Sequence, residues 1–270
     1  MLGLRYEAGH EVPLLHVTPL EETGLVTAAF TTRHGGVSRG ECATLNLSFK
    51  RQDDPEAVRE NYRRLCRELA IAPEQLALSS QVHGDEVLQP GPADLGLPQN
   101  HAGIHREGDS WICQEAGIAL IRHHADCTPV YLLDPVRKAI GLVHAGWRGT
   151  VAGLAGKTVR AMQAAYHTRP QDVLAVIGPS IGPCCFEVTE NVSEPMEAAF
   201  PGQGLVQRRA GKLYADLWRC NALSLTAAGV LPAHITVSEV CTACRDDWFF
   251  SHRREKGKTG TMASILFLRS

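Results

Sequence analysis

No apolar run in this 270-residue chain approaches the roughly 20 residues needed to cross a bilayer, so no membrane-spanning helix is expected. The opening stretch MLGLRYEAGHEVPLL lacks the basic-then-apolar pattern of a secretory leader, and a cytoplasmic protein is expected. Formal net charge is −2, with no long block of one sign. Neither a nucleic-acid surface nor a membrane surface is advertised. The 9 cysteines form no dense, regularly spaced framework. The chain is long enough to bury a core without such staples, and a reducing compartment is expected. No repeat, low-complexity tract or long linker divides the sequence, which is read as a single domain over residues 1–270. The absence of a His-x-His pair argues against a conventional multicopper enzyme. The H-x-E…P-C-x-x-C pattern of the zinc deaminases that act on nucleic acids is also missing.

What is present is an interleaving of short strands and helices. GLVTAAFTT (24–32), LALSSQV (76–82), GIALIRHHA, TPVYLL, AIGLV, DVLAVIG, HITVSEV and ASILFLR read as strands. DDPEAVRENYRRLCRELAI reads as a helix capped by Asp54, with Val58, Tyr62, Leu65, Cys66 and Leu69 on one apolar stripe. TVAGLAGKTVRAMQAAY, TENVSEPMEAAF and LYADLWRCNALSLTAAG read as further helices. The strands and helices keep no strict βαβ period. The expected class is α+β, with mixed or antiparallel β-sheets flanked by helices.

The stretch HHADCTPVYLLDPVRKAIGLVHAGWRG (123–149) carries the sharpest expectation. Asp134-Pro135 begins a turn between two β-forming runs. A turn centred between Pro135 and Val136 pairs residues whose numbers sum to 271, which sets Cys127 opposite His144. Directly opposed Cβ atoms lie about 4.5–5.5 Å apart. That separation suits a sulfur and an imidazole sharing a metal, or a thiol beside its base. A slip of one residue would send the two side chains to opposite faces. A catalytic zinc takes three protein ligands and leaves a fourth position open. His83, at a glycine-marked strand end in QVHGDEV, is the best candidate for the third; His123 and His124 read as packed or surface histidines. Nitrogen and sulfur donors suit zinc, and the same set also resembles a mononuclear copper site.

Other motifs carry less. GLAGKT lacks the glycine a Walker A loop needs, since position 151 is valine. Cys241-Thr242-Ala243-Cys244 is a lone CxxC with no partners evident at matching spacing, and Cys184-Cys185 reads as buried packing. HRREKGK (252–258) reads as a solvated basic loop, and Trp147 as a core or base-stacking residue.

TTRHGGVSRG, TLNLS, QVHGDEV, HHADCTPVYLLD, VHAGWRGT, IGPSIGPCCFEV and CTAC…FFSHRR occur in that order. In these blocks, from about Thr27 to Ser264, the chain resembles the YfiH/YlmD family, also called the laccase-domain or polyphenol-oxidase family. The resemblance implies an α+β fold and a zinc held by His83, Cys127 and His144. It implies purine nucleosides and phosphate as partners: phosphorolysis of adenosine, inosine and methylthioadenosine, with adenosine deaminase activity. Arg33 and Arg148, in glycine-flanked turns, are candidate anion contacts, Asn46 a candidate ribose or base contact, and Asp109 and Asp126 candidate proton shuttles. Where relatives often carry Gly-Arg, this chain reads Gly260-Thr261, so that arginine contact is either missing or supplied by Arg253 or Arg254. A monomer or small homo-oligomer is expected. The competing readings are a metal-free cysteine hydrolase or amidase with a Cys127–His144 dyad, a copper-dependent polyphenol oxidase, and a non-enzymatic metal-binding module.

Overall fold

The computed structural model describes residues 3–7 and 9–269. Among these the strands are β1 (Leu4–Tyr6), β2 (Leu14–Val17), β3 (Val26–Thr31), β4 (Leu76–Ala77), β5 (Val87–Leu88), β6 (Ser110–Cys113), β7 (Ala119–His124), β8 (Thr128–Asp134), β9 (Ala139–Ala145), β10 (Leu174–Ile177), β11 (Glu187–Val188), β12 (Val206–Arg209), β13 (Lys212–Ala215), β14 (Ile235–Val237) and β15 (Met262–Leu268). The α-helices are α1 (Thr18–Glu21), α2 (Pro55–Leu69), α3 (Trp147–Val151), α4 (Leu154–Tyr166), α5 (Glu190–Ala199) and α6 (Leu217–Ala227).

The strands form a six-stranded sheet in the order β1-β2-β3-β15-β7-β4, a second in the order β14-β10-β8-β9-β6-β5, and a small β11-β13-β12 sheet. Most pairings are antiparallel, with β4–β7, β5–β6 and β10–β14 parallel. The fold is therefore mixed α+β. The alternating pattern explains the layering. Phe30, Leu120 and Leu266 from the first sheet meet Tyr131, Leu133, Ile140 and Leu142 from the second in one buried core. The Tyr131 hydroxyl crosses this core to donate to the Ala29 carbonyl at 2.7 Å. Ile121 and Ile265, on the opposite face of the first sheet, pack under Val58, Tyr62 and Leu65 of α2. Val130, Leu132 and Val143, on the outer face of the second sheet, pack under Leu154, Val159 and Met162 of α4 and Leu225 of α6.

The apolar stripe read for α2 is the buried face of that helix, and Asp54 caps it by accepting from the Glu56 N–H at 2.9 Å. Several boundaries differ from the sequence reading, three of them beside the site or in its supporting helices. The helix expected after the HAGWRG turn is broken at Gly153, whose φ of +74° separates α3 from α4. The helix expected from Leu213 begins at Leu217, because Leu213 and Tyr214 pair in β13 and the Asp216 side chain caps α6. Only Leu76–Ala77 of LALSSQV is strand.

Candidate metal centre and cleft

Asp134 organises the hairpin that builds the site. Its Oδ1 accepts from the N–H groups of Val136 and Arg137, and Lys138 closes a four-residue turn at a φ of +51°. The turn is centred one residue later than the sequence suggested. Paired residues sum to 273, so that Pro129, not Cys127, lies opposite His144. A shift of two in the sum preserves the face. Cys127, just before β8, and His144, near the end of β9, are diagonal neighbours on the side that faces the other sheet. They sit where the two-sheet core opens.

His83 completes a group of three whose donor atoms lie within 4.8 Å of one another and could hold a metal ion. Its backbone takes a positive φ of 60°, and its ring centroid lies 5.0 Å from that of His144. One carboxylate fixes both histidines. Asp109, fully buried, accepts from the N–H groups of Val82 (3.1 Å), His83 (3.1 Å) and Gly84 (2.9 Å). It also lies 2.7 Å from Nδ1 of His144. This leaves Nε2 of His144 for a metal, the orienting arrangement usual behind a metal-bound histidine. Burial is graded: His144 is buried, Cys127 half-buried and His83 exposed. The open side of the group therefore faces the cleft. The donor set fits a metal on both counts: three convergent donors, and a carboxylate that fixes the tautomer of one of them.

This geometry accounts for two glycines of HAGWRG. A Cβ on Gly146 would stand 2.9 Å from the His83 ring and 3.3 Å from the Cys127 sulfur. A Cβ on Gly149 would stand 3.0 Å from the Gly84 carbonyl. Both glycines let the start of α3 pass close behind the ligands.

The electrostatics are strongly coupled. Burial alone would push the Cys127 thiol up, but the His144 and His83 rings outweigh it and bring it down to about 6. Burial would lower His144, but the Cys127 sulfur and Asp109 raise it to about 9. Asp109 is held down at about 2, its burial outweighed by His144 and the backbone N–H groups. With the thiol lowered and the imidazole raised by each other, the metal-free pair is drawn toward thiolate and imidazolium in the window from about pH 6 to about 9. A metal needs a neutral imidazole, so its binding in that window must expel the His144 proton. Titration calorimetry in buffers of different ionisation enthalpy, taken as the difference between intact protein and Cys127→Ala, should show about one proton released per metal at about pH 7.5. Affinity should rise about tenfold per pH unit across the window and level off above about 9. A release independent of pH from about 6.5 to about 10 would contradict this.

The cleft has a volume of about 610 Å³. His83, Cys127 and His144 line it, with Phe49, Trp147 and Phe186 as aromatic walls and Lys50, Arg51, Arg148 and Arg253 as cations. Arg148 is exposed and lies over the Trp147 ring at 4.3 Å. Arg253 lies over Phe186 at 5.3 Å, so the end of the basic loop reaches the cleft. Arg254 does not, because it donates to the carbonyls of Thr242, Ala243 and Phe249.

Several candidate residues are placed elsewhere. Arg33 is outside the cleft lining: it donates to the Ala43 and Asp246 carbonyls and pairs with Glu255 at 3.1 Å. Asn46 is fully buried and bonds Ser48, Asp53 and Thr261, which pins the cleft wall from behind. Asp126 touches the cleft, but its oxygens accept from Thr242, Ser251 and the Arg253 N–H. With Asp109 also committed, neither aspartate is free to shuttle protons. His123 meets the Tyr62 hydroxyl at 2.5 Å, and His124 lies 3.0 Å from the Cys127 carbonyl and 2.8 Å from Ser264. Sequence reasoning missed Phe49, Lys50 and Arg51. The only signal was their position directly after TLNLS.

A two-layer sheet core with a His-His-Cys group at its open end defines a class. The profile of the family described as "Multi-copper polyphenol oxidoreductase laccase" matches residues 27–269, and the chain belongs to that family, which includes the YfiH and YlmD proteins. It is 40% identical over 243 residues to "Purine nucleoside phosphorylase YlmD" of Geobacillus stearothermophilus, covering 88% of this chain and 89% of that protein. The crystal structure of YlmD from Geobacillus stearothermophilus superposes with a TM-score of 0.93 at 36% identity, covering 100% of both chains. That of the Bacillus licheniformis protein YfiH gives 0.89 at 31% identity, covering 98% of this chain and 99% of the other. Among the described residues no helix is long and apolar enough to cross a membrane.

Proposed function

We propose that this chain is a zinc-dependent purine nucleoside phosphorylase. The observation that carries the reading is a three-donor metal group, open on one side, at the floor of a cleft walled by aromatics and cations. The Geobacillus stearothermophilus relative that bears the name of a purine nucleoside phosphorylase supports it. His83, Cys127 and His144 would hold the ion. Zinc bound there would supply Lewis acidity at its open position. The cleft volume suits a nucleoside with phosphate. Phe49, Trp147 and Phe186 offer faces for a purine, and Lys50, Arg148 and Arg253 offer charge for phosphate oxygens. In phosphorolysis a phosphate oxygen bonds to the ribose anomeric carbon as the C–N bond to the purine breaks. The purine nitrogen then gains a proton. His101 and His252 line the cleft with no side-chain hydrogen bonds among the described residues, and one of them would pass that proton. The same site is the natural place for adenosine deamination, in which water replaces the purine amino group and ammonia leaves.

Inosine incubated with and without phosphate tests the reading. The expected products are hypoxanthine and ribose 1-phosphate, formed only with phosphate and lost on chelation. Hypoxanthine appearing without phosphate, or no turnover of inosine, adenosine or methylthioadenosine by zinc-loaded protein, would overturn it.

A second reading has its own support. Asp109–His144–Cys127 is also the order of a cysteine hydrolase triad, with a lowered thiol and a raised imidazole. It requires activity that survives chelation. A copper oxidase is less well supported. No methionine lines the cleft to serve as axial ligand, and His83, Cys127 and His144 are the sole metal-capable group at the cleft among the described residues.

A further inference from the structure

We propose that Cys184, Cys185, Cys241 and Cys244 form a second metal centre, a closed four-thiolate site that takes zinc. The lone CxxC of the sequence has partners after all: the adjacent pair Cys184-Cys185 approaches it across the fold. All four sulfurs lie within 4.8 Å of one another. The Cys244 sulfur is 3.6 Å from that of Cys184 and 3.3 Å from that of Cys185. A tetrahedron of sulfurs at the zinc–thiolate distance of about 2.3 Å has edges of about 3.8 Å, close to both contacts. All nine cysteines are free thiols. Cys184 and Cys244 are exposed and Cys185 is half-buried, so the pair is not the buried packing that its neighbouring aromatic suggested.

The surrounding backbone is already arranged for the site. Ser180 donates to the Val240 carbonyl at 3.1 Å and Thr242 to the Ser180 carbonyl at 3.0 Å, which locks the two cysteine-bearing loops side by side. The Gly182 N–H donates to the Cys241 sulfur at 3.2 Å. Such an N–H donor favours a thiolate over a thiol. Arg254 holds the Thr242 and Ala243 carbonyls, and Arg209 donates to the Pro183 carbonyl, so two guanidinium groups flank a cluster that would carry a net charge of −2 with zinc. Binding expels one proton from each thiol and involves no electron transfer. With four protein sulfurs no position is left for substrate, so the site is structural. It would clamp the turn that carries Ile181 and Phe186, two walls of the cleft, against the segment leading to His252 and Arg253.

The site is independent of the nucleoside reading, because Cys127→Ala removes only the first centre. Protein made without a metal-affinity tag and loaded with zinc is expected to hold two ions per chain. Cys127→Ala should hold one, and Cys127→Ala/Cys244→Ser none. X-ray absorption at the zinc edge of Cys127→Ala should show four sulfurs at about 2.3 Å and no nitrogen or oxygen bound to the metal. This measurement needs no folded Cys244 variant. Zinc-free Cys127→Ala protein after loading, nitrogen or oxygen mixed among the ligands, or a disulfide among these four cysteines in protein alkylated before reduction would overturn the proposal.

Discussion

Replacing Cys127 with alanine is expected to lower kcat/KM for phosphate-dependent inosine cleavage by at least about 10³-fold, or about 4 kcal/mol of transition-state stabilisation. The sulfur is the central donor of the group, within reach of both His83 and His144. Two imidazoles from separate segments would bind zinc too weakly to hold it at a catalytic position. Losing the ion and the sulfur beside buried His144 should also lower the melting temperature of zinc-loaded protein, while the aromatic walls Phe49, Trp147 and Phe186 remain for nucleoside binding. Steady-state kinetics, with zinc content and ligand binding measured on the same preparation, check this. Activity within tenfold of the parent would remove the metal group from the chemistry.

Asp109→Asn is the second large effect, and it acts without touching substrate. The carboxylate accepts from three backbone N–H groups and faces Nδ1 of His144. An amide has one acceptor atom and turns its NH₂ toward at least one of those donors. Either His144 loses its fixed tautomer or the 82–84 turn carrying His83 loosens. Zinc affinity should fall about 10–100-fold, the usual effect of removing an orienting partner. A buried donor left unpaired costs about 1–3 kcal/mol of stability in addition. The folded pKa of Asp109 is depressed to about 2, below its unfolded value. Its stabilisation is therefore full above the ordinary carboxylate range and is lost only as pH falls toward about 2. Competition titration with a zinc chelator measures the affinity, and saturating zinc should restore much of the activity. If zinc affinity is unchanged, Asp109 does not orient the ligand.

The parts of this site that depend on local rules are legible in the sequence. Asp134-Pro135 marks a turn, the flanking runs are β-formers, and the parity of Cys127 and His144 places both on one face. The register was off by two because turn length is set by the backbone at Lys138, whose positive φ no side chain announces. Asp109 stood out only as an acid of uncertain role, since its link to His144 depends on β6 pairing with β9. Arg33 sits in a glycine-flanked turn that fits an anion site, but that turn packs against distant backbone carbonyls instead. The partners of Cys241 and Cys244 lie more than fifty residues earlier in the chain. Tertiary contacts bring them together, between Ser180 and the segment from Val240 to Thr242 and between Gly182 and Cys241.

Anomalous diffraction from crystals of zinc-loaded protein, recorded on both sides of the zinc absorption edge, shows whether His83, Cys127 and His144 share one ion. A peak is expected about 2.0–2.1 Å from nitrogens of His83 and His144 and about 2.3 Å from the Cys127 sulfur, with a further position open to the cleft. Density free of zinc at that point, or an ion bound there without Cys127, would contradict it.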